Sequence, residues 1–159
     1  MSSIVQTQTT SFKTELYQAV HNMLTDTLYI ALYTASADLN AATTVYSSTN
    51  EVTGTGYVAG GVELTGVTLN SDNYTAYINF DNVVFNAAVT ARCALIYNVT
   101  QGNKSIAVLD FGSDKTSSNF TITMPANTAS AALIRSSNCS LLQPKAKWMI
   151  LFLRRKRES

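Results

Sequence analysis

The fold turns on the stretch Leu28-Tyr29-Ile30-Ala31-Leu32-Tyr33. Alternate side chains of a β-strand point to opposite faces. Here both sets are apolar or aromatic, Leu28, Ile30 and Leu32 on one side and Tyr29, Ala31 and Tyr33 on the other, so the stretch reads as a strand covered on both faces. Upstream the period is different. Phe12, Leu16, Ala19, Val20, Met23 and Leu24 recur at steps of three and four behind Ser11 as a candidate N-cap, which predicts one helix over residues 12–24. Downstream, strands are predicted over residues 62–69, 75–80, 90–97, 105–111, 119–124 and 131–135, separated by turn signals at Ser71-Asp72-Asn73, Gln101-Gly102-Asn103 and Gly112-Ser113-Asp114. A repeat of about 10 to 15 residues with short connections suits antiparallel pairing, because parallel crossovers need a dozen residues or more. The expected fold class is mainly β, an antiparallel β-sandwich or jelly roll with one N-terminal α-helix. Residues 34–61, small, polar and glycine-bearing, read as a long ordered loop that Tyr46, Val52 and Tyr57 could anchor.

The chain has 159 residues, which fits one domain of ordinary size. Charged residues make up 13% against a usual value of about 25%, and Ser, Thr and Asn take their place. That excludes a charged coiled coil, while 46% apolar residues with eight Tyr and six Phe argue against a mostly disordered chain. The longest apolar run, residues 148–153, falls far short of the roughly 20 residues of a spanning helix, so no membrane partner is expected. Residues 1–10 lack the basic start and apolar core of a secretory leader, so export by that route is not expected. Cys93 and Cys139 make neither a disulfide framework nor a CxxC motif, consistent with a reducing compartment. The Asn-x-Ser/Thr triplets at Asn73, Asn98, Asn103, Asn119 and Asn138 follow from composition alone.

The net charge of +1 conceals an asymmetry. Residues 1–140 carry five basic and nine acidic side chains, whereas residues 141–159 carry six basic and one acidic. We therefore divide the chain into a β-rich domain, 1–140, and a basic, apolar C-terminal tail, 141–159. The tail surrounds Trp148 and Phe152 with Lys145, Lys147 and the cluster Arg154, Arg155, Lys156 and Arg157. Its apolar centre would be a liability if left bare, so cover by another subunit is expected. Specific nucleic-acid binding is not.

Candidates for catalysis are few. His21, the sole histidine, sits between Val20 and Met23 on the predicted helix and reads as a solvated or boundary side chain rather than an acid or base. One His with two separated Cys leaves no zinc site, and no cofactor is expected. Asp110 and Asp114 flank Phe111-Gly112-Ser113 and could in principle serve calcium or acid/base work, but an Asp after a strand is far more often a turn residue. Residues 54–61 are glycine-rich, yet they precede a strand and lack the Lys-Ser/Thr ending of a phosphate-binding loop.

Four phrases in order carry a resemblance: residues 27–34 (TLYIALYT), 50–61 (NEVTGTGYVAGG), 91–98 (ARCALIYN) and 107–116 (AVLDFGSDKT). Together they resemble a family of small virion structural proteins of tailed double-stranded DNA bacteriophages, over roughly residues 12–135. Two departures stand out. Cys93 occupies a position where the family phrase usually has Gly, and the chain continues through residues 136–159 where family members tend to stop. The resemblance implies a β-rich, non-enzymatic assembly protein with no catalytic residues to transfer.

The expected function is therefore a capsid cement or decoration protein of the virion, assembled in the host cytoplasm. Its expected partners are the major capsid protein or other virion proteins and further copies of itself. The alternative is a tail, head-fibre or receptor-binding component, to which Tyr57 and residues 72–74 would point. A third class, a polysaccharide-degrading enzyme using Asp110 and Asp114, is the remaining reading. Interfaces favour aromatic side chains and arginine. The candidate contact residues are Tyr46, Tyr57, Trp148, Phe152, Arg154 and Arg155, with anchoring inside the same subunit the competing role for the two tyrosines.

Overall fold

A computed structural model of the chain describes residues 3–137. The described elements are β1 (Thr7–Gln8), α1 (Thr10–Tyr17), β2 (Leu28–Tyr33), β3 (Val62–Glu63), β4 (Thr68–Asp72), β5 (Thr75–Asn79), β6 (Val83–Phe85), β7 (Val89–Asn98), β8 (Lys104–Ser117), β9 (Phe120–Ile122) and β10 (Ile134–Ser137). The protein is mainly β with antiparallel sheets and one helix near the N-terminus, the expected fold class. None of the described helices is long and apolar enough to cross a membrane.

Contacts gather the described residues into two compact units, 3–68 with 80–124, and 69–79 with 125–137. The first contains a five-stranded sheet in the order β1-β8-β7-β2-β3 and a separate β6-β9 pair. β7 lies at the centre, with Ile30 opposite Ile96 on the β2 side and Leu95 opposite Val108 on the β8 side. This central placement explains why β2 alternates between two apolar sets. Ala31 and Tyr33 join Cys93, Leu95, Tyr97 and Val108 in one buried cluster, while Leu28, Ile30 and Leu32, on the opposite face by alternation, are buried too. The second unit holds the three-stranded sheet β10-β5-β4, in which Ile134 faces Ile78 and Arg135 faces Tyr77.

Several boundaries differ from the sequence reading. The helix is capped by Thr9, whose hydroxyl accepts the Phe12 N–H, and it ends at Tyr17 rather than continuing to residue 24. Ala19 adopts a left-handed φ of 56°, which ends the helical path, and the chain beyond it carries His21 onto the Phe12 ring at a centroid distance of 5.2 Å. Leu16 and Leu24, assigned to the helix's apolar stripe by periodicity, are exposed. The predicted strand over residues 62–69 is split. β3 stops at Glu63, and the carbonyl of Thr65 receives the Asp81 N–H at 3.0 Å.

The opposite error occurs at Gly112-Ser113-Asp114, read as a turn and observed inside β8. Cys93 faces Asp110 and Ala91 faces Lys115, so the six residues 110–115 of β8 span the interval that the three residues 91–93 of β7 occupy. The surplus is a bulge, made possible by Gly112 at φ 77°, a left-handed conformation that glycine adopts without steric cost. The short strand β6 was not anticipated. Its residues Val83 and Phe85 are buried and Val84 exposed, a period of two too brief to stand out in the sequence.

Candidate functional site

Glu51 lies in the long loop between β2 and β3 and is buried, one of few charged side chains here to be so. A buried carboxylate must be matched by donors. Its Oε1 accepts the Tyr57 hydroxyl at 2.7 Å and the Gly60 N–H at 2.7 Å, and its Oε2 accepts the Tyr46 hydroxyl at 2.6 Å. All three donors come from the same loop, so Glu51 closes the loop on itself. The loop is then joined to the sheet. The Leu32 N–H donates to the Tyr57 hydroxyl oxygen at 3.0 Å, Tyr97 donates to the Gly60 carbonyl at 2.8 Å, and Tyr33 donates to the Ser47 carbonyl at 2.7 Å. The Tyr46 ring stacks on Tyr97 with centroids 4.6 Å apart.

The electrostatics follow from this packing. Burial raises the Tyr57 and Tyr46 phenols well above the usual range, and the hydrogen bond each donates to Glu51 raises them further, since that bond is lost on ionisation. Burial and the nearby Glu51 charge raise Tyr33 in the same direction and push Tyr97 up to about 12. The phenols therefore act as fixed donors. Of the predicted contact residues, Tyr46 and Tyr57 are brought together here, half-buried, with their hydroxyls engaged inside the chain. The exposed apolar side chains of the loop are instead Val45 and Val58. Trp148, Phe152, Arg154 and Arg155 lie outside the described residues.

Asp110 is paired with Arg92 and accepts the Gly112 N–H at 2.8 Å. That backbone bond, with the arginine, outweighs burial and holds its carboxyl below the usual range. It works as the brace of the β8 bulge, and Asp114 is exposed, with no ion pair among the described residues. His21 is buried, not solvated or at a boundary as expected from sequence, and it sits in the turn after the helix. Its Nε2 meets Glu15 at 2.8 Å and its Nδ1 meets the Asn98 amide nitrogen at 2.9 Å, while Lys104 binds the other Glu15 oxygen at 2.6 Å. The network continues from Asn98 to Asp26 at 2.7 Å. Among the described residues, no group of three His, Cys, Asp or Glu side chains is placed to hold a metal ion.

Two surface grooves meet at Thr116 and Ser117. One, of about 500 Å³, is lined mainly by hydroxyl residues including Thr34, Thr53 and Thr90 over Val52 and Val89. The other, of about 530 Å³, has Phe111, Phe120 and Ile122 among its walls. The first joins segments far apart in the chain, residues 34, 52–53 and 88–90 with 116–118, and the second is formed within residues 111–123, where the bulge of β8 bends the strand; neither was visible in the sequence. Glu51 was also missed. A signal existed, since a lone glutamate flanked by Tyr46 and Tyr57 in a charge-poor, glycine-rich loop is an unusual combination.

Compared with protein-family models, curated proteins and solved structures, the chain matches none.

Proposed function

We propose that the protein is a structural component of a tailed double-stranded DNA bacteriophage particle, acting as a decoration or cement protein that binds the assembled shell. The observation that carries this reading is the clasped loop of residues 34–61. Glu51, Tyr46, Tyr57 and Gly60 hold it in one conformation and leave Val45 and Val58 exposed on it. A surface ordered before contact avoids the entropy cost of ordering it during binding, which suits a module that works by static contact rather than turnover. The four family-like phrases support the same reading, and two of them, residues 27–34 and 50–61, contain the clasp or its anchor in β2.

Binding to the assembled shell and not to its dissociated subunits stabilises the shell by mass action. The partners in this reading are the major capsid protein and other copies of this chain, with the basic tail as a further contact. A tail, head-fibre or receptor-binding role is the second reading. It is favoured by Tyr74, 79% exposed at the turn between β4 and β5.

Counting copies in purified particles, with heads separated from tails, tests both. Hundreds of copies on heads are expected. A few dozen confined to tails would favour the second reading, and absence from particles would overturn both.

A further inference from the structure

Asn98 decides which nitrogen of His21 carries the proton. Its side chain is fully buried at the end of β7, and the two ends of its amide meet opposite chemistry. The Oδ1 end accepts the Gln101 N–H at 3.1 Å, so an oxygen must stand there. The Nδ2 end lies 2.7 Å from Asp26 Oδ2, a carboxylate oxygen, so a donor must stand there. Turning the amide over would set donor against donor and acceptor against acceptor. The same nitrogen lies 2.9 Å from His21 Nδ1 and has a second hydrogen to give. Nδ1 is therefore the acceptor, the ring proton sits on Nε2, and Nε2–H donates to Glu15 Oε2 at 2.8 Å.

A second ring proton would set Nδ1–H against the Asn98 N–H. The charged groups around the ring are Glu15 from α1, Lys104 from β8 on the other Glu15 oxygen, and Asp26 beyond Asn98. Glu15 is already occupied by Nε2–H and Lys104, which leaves Asp26 as the carboxylate that can receive Nδ1–H, with the Asn98 amide standing between them. Asp26 also accepts the Asn22 N–H at 3.0 Å, and the His21 ring covers that of Phe12, itself fully buried. A shift of His21 toward Asp26 thus disturbs the whole turn of residues 18–26.

We propose that His21 is an acid-sensitive latch: with one ring proton it closes the turn of residues 18–26 onto the β7–β8 connection through Asn98, and with two it displaces the Asn98 amide, bonds Asp26 and opens that turn over Phe12. The step takes one proton from solvent onto Nδ1 and exchanges hydrogen bonds only. Histidine is the side chain suited to change charge between about pH 5 and 8. Glu15 and Asp26, held below 4.5 and 3.8, stay ionised in that interval, which separates the latch from their own titration. This inference goes beyond the virion reading and does not rest on it.

The test follows the full chain by NMR from about pH 8 to about pH 5. At the alkaline end the imidazole ¹⁵N signals are expected to show a bare Nδ1 and a protonated Nε2. As His21 takes up its second proton, amide-exchange protection of Asn22 and Gln101, whose N–H groups are held by the Asp26 and Asn98 side chains, is expected to fall about tenfold or more along the same curve. Protection of Val52, bonded to the Leu32 carbonyl at 3.0 Å, is expected to stay level. His21→Phe keeps a ring on Phe12 but cannot titrate, and is expected to abolish the pH dependence. The opposite tautomer at the alkaline end, or no second proton on His21 across the interval, would overturn the proposal. So would protection that stays level while His21 titrates, or a loss that persists in His21→Phe. Should that variant not fold, agreement or separation of the two curves in the parent chain decides.

Discussion

The Tyr57 hydroxyl donates to Glu51 at 2.7 Å and accepts the Leu32 N–H at 3.0 Å, so one phenol joins a loop carboxylate to the backbone of a central strand. It takes the place of a strand neighbour for that N–H. Leu32 lies beyond the two residues, Tyr29 and Ile30, that β3 pairs with. The clasp thus completes the sheet edge as well as fixing the loop.

Substituting Glu51 tests the clasp directly. Glu51→Gln keeps the volume but turns one acceptor into an NH₂ group facing a donor, and is expected to cost about 2 kcal/mol. Tyr46→Phe removes one of three donors and is expected to cost about 1 kcal/mol. Urea unfolding midpoints with unchanged slopes would measure both. Losses within about 0.5 kcal/mol would show that the loop is held by other contacts.

Gly61 brings the loop back to β2. At φ 79°, with a Cβ that would lie 1.9 Å from the Ile30 carbonyl oxygen, any side chain both strains the backbone and collides with it. Gly61→Ala is therefore expected to destabilise by about 3 kcal/mol or more. Gly102→Ala, whose Cβ would meet nothing within 4 Å, carries only the backbone term and is the matched control in the same unfolding experiment.

Alkaline pH should open the same region. Tyr97 rises from 10.0 to about 12 in the fold, and Tyr33, Tyr46 and Tyr57 are raised in the same direction. In that window the folded state binds more protons than the unfolded state, so stability falls as pH rises. Thermal melts at about pH 9 and about pH 11 should show the loss, and Tyr97→Phe should flatten it. A stability flat across the interval would contradict the phenols' placement.

The acid limb has its own groups. Burial opposes ionisation of Glu15, but its bonds from Lys104 and His21 outweigh this and hold it below its ordinary 4.5. Asp26 is likewise held below 3.8, burial being overcome by the Asn98 amide and the Asn22 N–H. The unfolded state binds more protons as pH drops past these ordinary values, so the stabilisation present above them is lost as pH falls through the folded values. Lys104→Met should be less stable than the parent chain at about pH 6, with the difference shrinking as pH falls below the ordinary value of Glu15. A difference that stays constant with pH would place its effect in packing instead.

Cys93 should be inert in the folded protein. Burial, and then the Asp110 charge, push its thiol up to about 12, and the thiolate is the reactive form. In a Cys139→Ser background, an aromatic disulfide reagent should label Cys93 only after denaturation. Rapid labelling of the folded chain would show that the β7 position opens.

Much of this protein could be read from order and alternation alone. Leu28 to Tyr33 announced a strand covered on both faces, because two apolar sets at a period of two admit few other readings. The antiparallel class and the helix's existence followed from the same local periodicities. Tertiary structure decided where those periodicities were obeyed. At Ala19 the chain leaves the helical path and sets His21 against Phe12 and Asn98, the latter 77 residues away, a contact that no local window of sequence displays. Gly112-Ser113-Asp114 became a bulge because Asp110 is gripped by Arg92 from β7 while the strand continues on either side. Tyr46 and Tyr57 look the same in sequence whether they serve an interface or a clasp. Only the burial of Glu51 against them, with the loop tied to Tyr33 and Tyr97 through the Ser47 and Gly60 carbonyls, turned their hydroxyls inward, since a carboxylate removed from water must take its donors from wherever the fold supplies them.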